Sequence, residues 1–325
     1  MTPRAPGDAD WMAATIALAR RGRPGSAPNP NVGCLIVKDG RLVARGWTQP
    51  GGRPHGEAMA VAAAGSAARG ATAYVTLEPC AHASARGPAC RDLLIDAGIA
   101  RVVVAAQDPD PRTDGKGIAR LQAAGIDVAV GVLSAQARAA MAPWWTRQTA
   151  GRPFVTLKLA TSLDGCIARA DGSSRWITGD RARAHGHVER AGHEAILVGR
   201  GTLDADAPRL DVRLPGLEQR SPKQLLLTRG SAPDGWTAVA SPEMVEGIDS
   251  LLVEGGAGAA SAFLAADRVD RLLLYRAPIL IGDGKAALGD IGLTDLAHAH
   301  GRWRLADSRM LGSDRLDVYE RVREG

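Results

Sequence analysis

Four side chains in the first third of the sequence could act together on a metal ion and a proton: His55, Glu57, Cys80 and Cys90. One imidazole and two thiolates make a donor set suited to tetrahedral zinc. Three protein ligands leave a fourth position for water, which is the arrangement of a catalytic rather than a structural site. Zinc lowers the pKa of bound water from about 15.7 toward about 7, so hydroxide becomes available at neutral pH. Glu57 is placed two residues beyond His55 to move protons beside that water without being a ligand. The order His-x-Glu, then Pro79-Cys80, is the arrangement of zinc deaminases, in which hydroxide attacks an amidine-like carbon and the Glu carries protons to ring nitrogen and leaving ammonia. Any one of these residues taken singly is more often structural; the ordered set is what points to metal. Both cysteines are expected near helix starts, where the helix dipole favours thiolate. His82, in the same loop, is a competing ligand, whereas Cys34 and Cys166 read as packing residues.

A second constellation lies near the C-terminus. Glu254-Gly255-Gly256-Ala257-Gly258 follows an apolar stretch and opens a helical one. Backbone N–H groups at such a helix start can cradle a pyrophosphate. The usual dinucleotide pattern G-x-G-x-x-G is met only as Gly256 to Ser261, so the strand–Gly–helix context carries the reading. Lys158 and Asp164 flank the first strand of this half and either position substrate or pair with other charges. Trp176 reads equally as a core aromatic.

The elements that must hold these residues alternate between short apolar strands and helices. Asp8 or Asp10 can cap a first helix; Val32–Val37 and Arg41–Ala44 form strands around an Asp39-Gly40 turn. A helix is expected over residues 57–68, a strand at Tyr74–Leu77, a helix at Arg91–Ala97 and a strand at Arg101–Ala106. A helix ending at Ala124, a strand at Asp127–Val130 and a helix from Ser134 toward Gln148 complete this half. Gly151-Arg152-Pro153 then breaks the chain, giving domains 1–149 and 150–325. The second half restarts with strands at Phe154–Leu159, Ala195–Val198, Gln224–Leu227, Leu251–Val253 and Arg271–Tyr275, and is turn-rich between Pro208 and Gly247. Helices between buried strands imply a layered α/β fold. The apolar Val269–Gly282 stretch reads as core or as a dimer-forming strand.

Composition narrows the function. The chain has 325 residues, 45% hydrophobic and 23% charged, as in ordinary globular proteins. Residues 1–149 carry 17 basic and 11 acidic side chains, and residues 150–325 carry 23 and 24. The basic excess of the first half suits a small anionic substrate. Without a dense Lys/Arg run, and with aromatics at only 4%, it does not suit nucleic acid. No apolar stretch approaches the roughly 18 residues of a membrane span, MTPRAPGDAD lacks a signal-peptide core, and four cysteines are no disulfide framework, so a cytoplasmic enzyme is expected.

Several long motifs occur in order across both halves. They are PNPNVGC at Pro28–Cys34, PHGE at Pro54–Glu57, GATAYVTLEPCAH at Gly70–His82, DPDP at Asp108–Pro111 and GKG at Gly115–Gly117. In the second half they are GRPFVTLKLATSLDG at Gly151–Gly165, SRWITG at Ser174–Gly179, AILVGRGT at Ala195–Thr202, DAPRLDVR at Asp206–Arg213, EGGAGAASAFL at Glu254–Leu264 and VDRLLLYRAPILIG at Val269–Gly282. With these the chain resembles the bifunctional riboflavin-biosynthesis deaminase-reductase family over nearly its whole length. The resemblance implies a cytidine-deaminase-like N-terminal domain and a dihydrofolate-reductase-like C-terminal domain. The first would use Zn2+ to deaminate a ribosylated diaminopyrimidinone 5′-phosphate, and the second NADPH to reduce the ribosyl group to ribityl.

Carried onto this sequence, the resemblance makes His55, Cys80 and Cys90 the zinc ligands and Glu57 the proton shuttle. Asn29 would contact the pyrimidine and Arg86 the phosphate. Ala160, Trp176, Thr202, Asp206 and the loop Gly256, Ala257, Gly258, Ala259, Ala260, Ser261 and Ala262 would line the NADPH site. Ser174, Arg190, Leu210, Arg213 and Glu254 would line the substrate site, the two arginines as bidentate phosphate forks. Three positions depart from the family pattern. Gly56 replaces the usual Ala, which loosens a helix start by about 1 kcal/mol; the cysteines are ten rather than nine apart; and Thr48 replaces a common His. The alternative reading is a chain in which only the reductase half is active. A homodimer is the expected assembly.

Overall fold

The computed structural model describes residues 5–82, 84 and 86–323. Ala83 and Ala85 of the cysteine loop, and the first four residues of MTPRAPGDAD, lie outside it. Contacts divide the chain into two units, Met1–Gly151 and Arg152–Gly325.

The first unit runs α1 (Asp8–Ala19), β1 (Gly33–Lys38), β2 (Arg41–Trp47), α2 (Gly56–Ala64), β3 (Thr72–Val75), α3 (Cys90–Asp96), β4 (Arg101–Val104), α4 (Lys116–Ala123), β5 (Asp127–Val130), α5 (Ser134–Ala140) and α6 (Ala142–Ala150). Its five strands are ordered β2-β1-β3-β4-β5, with β1 antiparallel to β2 and β3, and β3, β4 and β5 parallel. Asp39 and Gly40 both take positive φ, 51° and 71°, as a two-residue turn between twisted strands requires. Residues Gly33–Val37 are buried without alternation because α1 and α2 both pack on β1. Boundaries differ from the sequence reading: β2 runs to Trp47 rather than Ala44, β3 spans Thr72–Val75 rather than Tyr74–Leu77, and β4 ends at Val104 rather than Ala106. The cap of α1 is Gly7, whose N–H donates to Asp10 Oδ2 at 2.8 Å, while Asp8 instead receives the Arg101 fork at 2.9 and 2.8 Å. The helix at 57–68 ends at Ala64 and tightens into a 3₁₀ turn over Gly65–Ala68. The single helix from Ser134 breaks at Met141 into α5 and α6, because Pro143 lacks the N–H to continue the ladder and fits only near a helix start.

The second unit runs β6 (Phe154–Thr161), β7 (Cys166–Arg169), α7 (Asp180–Ala191), β8 (Ala195–Gly199), α8 (Arg200–Asp206), β9 (Lys223–Leu227), β10 (Thr237–Val239), β11 (Ser250–Val253), α9 (Ala257–Ala265), β12 (Arg271–Arg276), β13 (Gly284–Ala286), β14 (Trp303–Leu311) and β15 (Asp314–Arg321). An eight-stranded sheet is ordered β10-β9-β8-β11-β6-β12-β15-β14, parallel from β10 to β12 and then antiparallel. β12 lies inside this sheet, between β6 and β15, with Leu273 and Tyr275 1% exposed, so the strand of the Val269–Gly282 stretch is core and not a sheet edge, while Ile279 and Leu280 beyond it are exposed. One edge is β14, joined to β15 in a long hairpin that the sequence reading missed. Residues Arg304–Met310 are all exposed, so β14 shows no alternation of apolar and polar positions.

Candidate active sites

In the first unit three ligand atoms from three places converge. His55 is the N-cap residue of α2, Cys90 is the first residue of α3, and Cys80 lies in the loop after β3. His55 Nδ1 is 3.2 Å from Cys90 Sγ and 3.6 Å from Cys80 Sγ, and the three ligand atoms lie within 4.8 Å of one another. Zinc bonds of about 2.1 Å to nitrogen and 2.3 Å to sulfur place tetrahedral neighbours about 3.5 Å apart, so the set fits a zinc ion. Only Cys90 opens a helix; its N–H donates to Cys80 Sγ at 3.3 Å, so the terminus of α3 serves both sulfurs. Cys80 is held well below the ordinary thiol value, first by its hydrogen bond with Cys90 and then by His55, while the same hydrogen bond and burial push Cys90 up. One imidazole nitrogen and two sulfurs facing one another at these distances are a donor set that a cation completes. His82 is not part of this cluster.

Glu57 opens the first turn of α2 beside the ligands and is 2% exposed. Burial raises its carboxyl to about 7, with His55 pulling the other way, and Oε2 is buried without a partner. Gly56 is not a slack position: a Cβ there would come within 2.8 Å of Val32 O and 3.3 Å of Trp47 Cα. The helix start is tight, and glycine is what this backbone admits. Asn29 Nδ2 reaches the other ring nitrogen of His55 at 3.1 Å and donates to Gly52 O at 2.9 Å, so it abuts the ligand cluster. Thr48 is 1% exposed, and its hydroxyl accepts the Val32 N–H at 2.9 Å, so it is spent on the backbone. In the longer loop between the cysteines, Ser84 and Gly87 exchange two backbone hydrogen bonds of 3.0 Å. Arg86 is exposed there and donates to Gly51 O at 2.8 Å.

Glu78 had no role in the sequence reading, and the structure gives it one. Its carboxylate accepts the N–H groups of Asp108, Gly115, Gly117 and Ile118 at 3.2, 2.9, 2.8 and 3.1 Å. The DPDP and GKG motifs are thereby tied to the loop that carries Cys80. Within that segment burial raises the Asp108 carboxyl to about 7.

In the second unit a cavity of about 710 Å³ opens across the carboxyl ends of the parallel strands, where ligands of open α/β sheets bind. Glu254 closes β11 over its middle. Arg190 grips both carboxylate oxygens at 2.9 Å each, and Lys158 Nζ lies 3.6 Å from Oε2. Burial pushes Glu254 up, but Lys158 and the Arg190 fork outweigh it and hold the carboxyl at about 2. The fork read as a phosphate ligand already holds a carboxylate. Lys158 is therefore a member of the site, and its ammonium also sits 5.8 Å over the Tyr275 ring. Asp164 does otherwise: it accepts the N–H groups of Ile281 and Gly282 at 3.1 and 2.7 Å.

Ala160, Ser174, Trp176, Thr202, Asp206, Leu210, Arg213 and Gly256–Ala259 all line the cavity. Trp176 is 68% exposed with Arg183 stacked 4.6 Å from its ring, which excludes the core reading. The wall ends at Ala259: Ala260 and Ser261 turn into the interior, where Ser261 Oγ accepts the Gly289 N–H at 2.8 Å, and Ala262 is not part of the lining. Gly256 N–H donates to Thr202 Oγ1 at 2.8 Å, and a Cβ at Gly255 would lie 2.9 Å from Ala259 Cβ. The glycines thus let α9 start hard against α8. His187 also lines the cavity and was not singled out. Arg183, His187 and Arg190 share one face of α7 at spacings of four and three, a signal that was present in the sequence.

Residues 6–106 match the family described as the cytidine and deoxycytidylate deaminase zinc-binding region, and residues 153–235 and 243–316 match the RibD C-terminal domain. The riboflavin biosynthesis protein RibD of Escherichia coli is 38% identical, covering 94% of this chain and 97% of its own. That of Mycobacterium tuberculosis is 39% identical, covering 89% and 90%. The RibD structure from Acinetobacter baumannii superposes with a TM-score of 0.85 at 35% identity, covering 97% of this chain and 99% of its own. A Thermotoga maritima diaminohydroxyphosphoribosylaminopyrimidine deaminase/5-amino-6-(5-phosphoribosylamino)uracil reductase gives 0.85 at 31% identity, with the same coverage.

Proposed function

The chain belongs to the RibD family of bifunctional riboflavin-biosynthesis proteins, and from that premise we propose which of its residues carry each reaction. It is an enzyme with a zinc-dependent deaminase half and an NADPH-dependent reductase half. The substrate is the 2,5-diamino-6-ribosylamino-4(3H)-pyrimidinone 5′-phosphate, which loses its 2-amino group as ammonia and is then reduced to the ribityl compound.

For deamination, His55, Cys80 and Cys90 hold zinc, which when bound supplies a water acidified to near-neutral pKa. Glu57 carries one proton from the attacking water through its unpartnered Oε2 to the ring nitrogen, and a second, from the added hydroxyl, to the amine as the C–N bond breaks. A carboxyl poised near neutrality can do both. Asn29 orients the pyrimidine beside His55, and Arg86 meets the phosphate at the loop mouth. For reduction, NADPH supplies the hydride. Gly256–Ala259 and Thr202 hold its phosphate-bearing middle, Asp206 lines the same site, and Ala160 and Trp176 flank the nicotinamide. Lys158, paired with the Glu254 carboxylate that Arg190 also grips, faces the sugar carbon. Arg213, at the cavity rim, takes the substrate phosphate, and Ser174 and Leu210 complete the pocket.

The observation that carries this reading is the convergence of three zinc-type donors beside a buried, unpartnered Glu57, intact despite the longer cysteine loop. It favours two working halves over a reductase with a degenerate partner. No helix among the described residues is long and apolar enough to cross a membrane; cytoplasmic placement and small phosphorylated pyrimidines, rather than nucleic acid, as ligands are part of the proposal. A homodimer is too, supported by the exposed β14 edge with Leu305 and Met310. Chelation tests the division of labour. Stripped of metal, the protein should lose deamination while still oxidising NADPH with pre-deaminated substrate, and zinc should restore the first step. Loss of both activities, or of neither, contradicts it.

A further inference from the structure

Along the cavity face of α7 stand Arg183, His187 and Arg190, and two of the three are already committed. Arg183 donates to Thr178 O and to Asp180 while its guanidinium lies over the Trp176 ring. Arg190 forks onto Glu254 and donates again to Asp211 O at 3.0 Å. His187 is different. Its Nδ1 is turned to the backbone that follows Leu210, 3.2 Å from Asp211 O and 3.3 Å from the Arg213 nitrogen. Its Nε2 has no hydrogen-bond partner among the described residues and is left toward the cavity. Leu210, buried with φ 53°, turns the chain so that residues 211–213 lie against α7.

That placement lets the ring carry one proton or two without moving. When neutral, Nδ1 accepts the Arg213 N–H and the proton stays on Nε2; as imidazolium, Nδ1 donates to Asp211 O and Nε2 keeps its proton. In both states a donor points into the cavity. Arg213 is half exposed on the same segment, its Nε 3.4 Å from Asp211 Oδ1, beyond the usual reach of a hydrogen bond. Burial and the guanidiniums of Arg190 and Arg213 pull His187 below the ordinary imidazole value, with Asp211 O and Glu254 pulling the other way. Glu218 and Arg220, on the turn that also packs against α7, are exposed. The imidazole is therefore neutral near pH 7 until an anion arrives, and a phosphate dianion held between it and Arg213 reverses the balance.

We propose that His187 is the second ligand, beside Arg213, of the substrate's 5′-phosphate in the reductase cavity, and that it takes up a proton as the phosphate binds. The proposal rests on the reading of this cavity as the reductase site. Steady-state reduction of pre-deaminated substrate by the full-length, zinc-loaded protein at saturating NADPH tests it, in wild type and in His187→Gln. Glutamine keeps a donor and loses the titration. The phosphate's own second ionisation, at about pH 6, is common to both proteins, so the ratio of their KM values isolates the imidazole. KM should be about tenfold higher in the variant at about pH 6 and approach the wild-type value at about pH 8.5, with kcat within about twofold throughout. Inorganic phosphate, competing with substrate, should show the same pH-dependent gap in its inhibition constant. Wild type alone reads the same linkage: its KM should rise from about pH 7 to about pH 8.5, where the phosphate is already ionised. A flat wild-type profile, a KM ratio equal at both pH values, a fall in kcat instead, or phosphate inhibition that the variant leaves unchanged overturns the His187 subsite while reduction stands. If wild type does not reduce pre-deaminated substrate, the cavity reading fails and the subsite with it.

Discussion

The two halves solve the problem of buried charge in opposite ways. Around His55, Cys80 and Cys90 the protein gathers electron-pair donors that face one another, and Glu57 stands beside them with one oxygen unsatisfied. Around Glu254 every charge has its answer already: Arg190 forks onto it, Lys158 approaches from β6, and the carboxyl is held at about 2. The first site is completed by something added; the second is preorganised and waits only for shape. The difference suits the chemistry. Deamination needs a proton carrier free to change state, whereas hydride transfer needs fixed charges that hold two large ligands in register.

Breaking the first arrangement should have the largest effect. Cys90→Ser removes a ligand and the sulfur that partners Cys80, so bound zinc should fall from about one per chain toward zero by elemental analysis, and deamination with it. Glu57→Gln sharpens the contrast: zinc content should stay, deamination should fall by about 10²–10⁴-fold, and the melting temperature should not drop, because Oε2 has no fixed partner to lose. In the reductase half the order reverses. Arg190→Met leaves Glu254 buried with Lys158 alone and should lower stability by about 3–5 kcal/mol, much of it regained in Arg190→Met/Glu254→Gln. A double variant no better than the single one would show that the pair is not coupled.

The smallest effect is in acid. The Glu254 carboxyl titrates near 2 in the fold against an ordinary 4.5, so it is depressed. Its contribution is fully present above pH 4.5 and lost as pH falls toward 2, amounting to about 3 kcal/mol over that window. Denaturant midpoints of wild type and Glu254→Gln should therefore converge between pH 4.5 and 2. Parallel curves would contradict the pairing.

The same contrast decides what was legible in the sequence. The metal site could be read because its chemistry is local: a His two residues before a Glu, and two cysteines bounding one loop, are visible as spacing. The reductase motifs were visible too, but not what their residues do. Arg190 looks like a phosphate fork until β11 delivers Glu254 to it, and Lys158 is ambiguous until both are seen beside it. Such pairs are made by parallel crossovers, which join residues far apart in the chain. The β14–β15 hairpin was missed for another reason: seven consecutive exposed residues in β14 carry no period to detect. Pro143, by contrast, marked a helix break that pattern reading over Ser134–Gln148 ran through.

The central claim is that one chain carries two complete and separate sites. Mass spectrometry of products from the diaminopyrimidinone ribosyl phosphate, first without and then with NADPH, addresses it directly. The account predicts deaminated ribosyl product alone in the first sample, and its conversion to the ribityl compound in the second. Unchanged substrate in the first sample, from protein that nonetheless reduces pre-deaminated substrate, would contradict it.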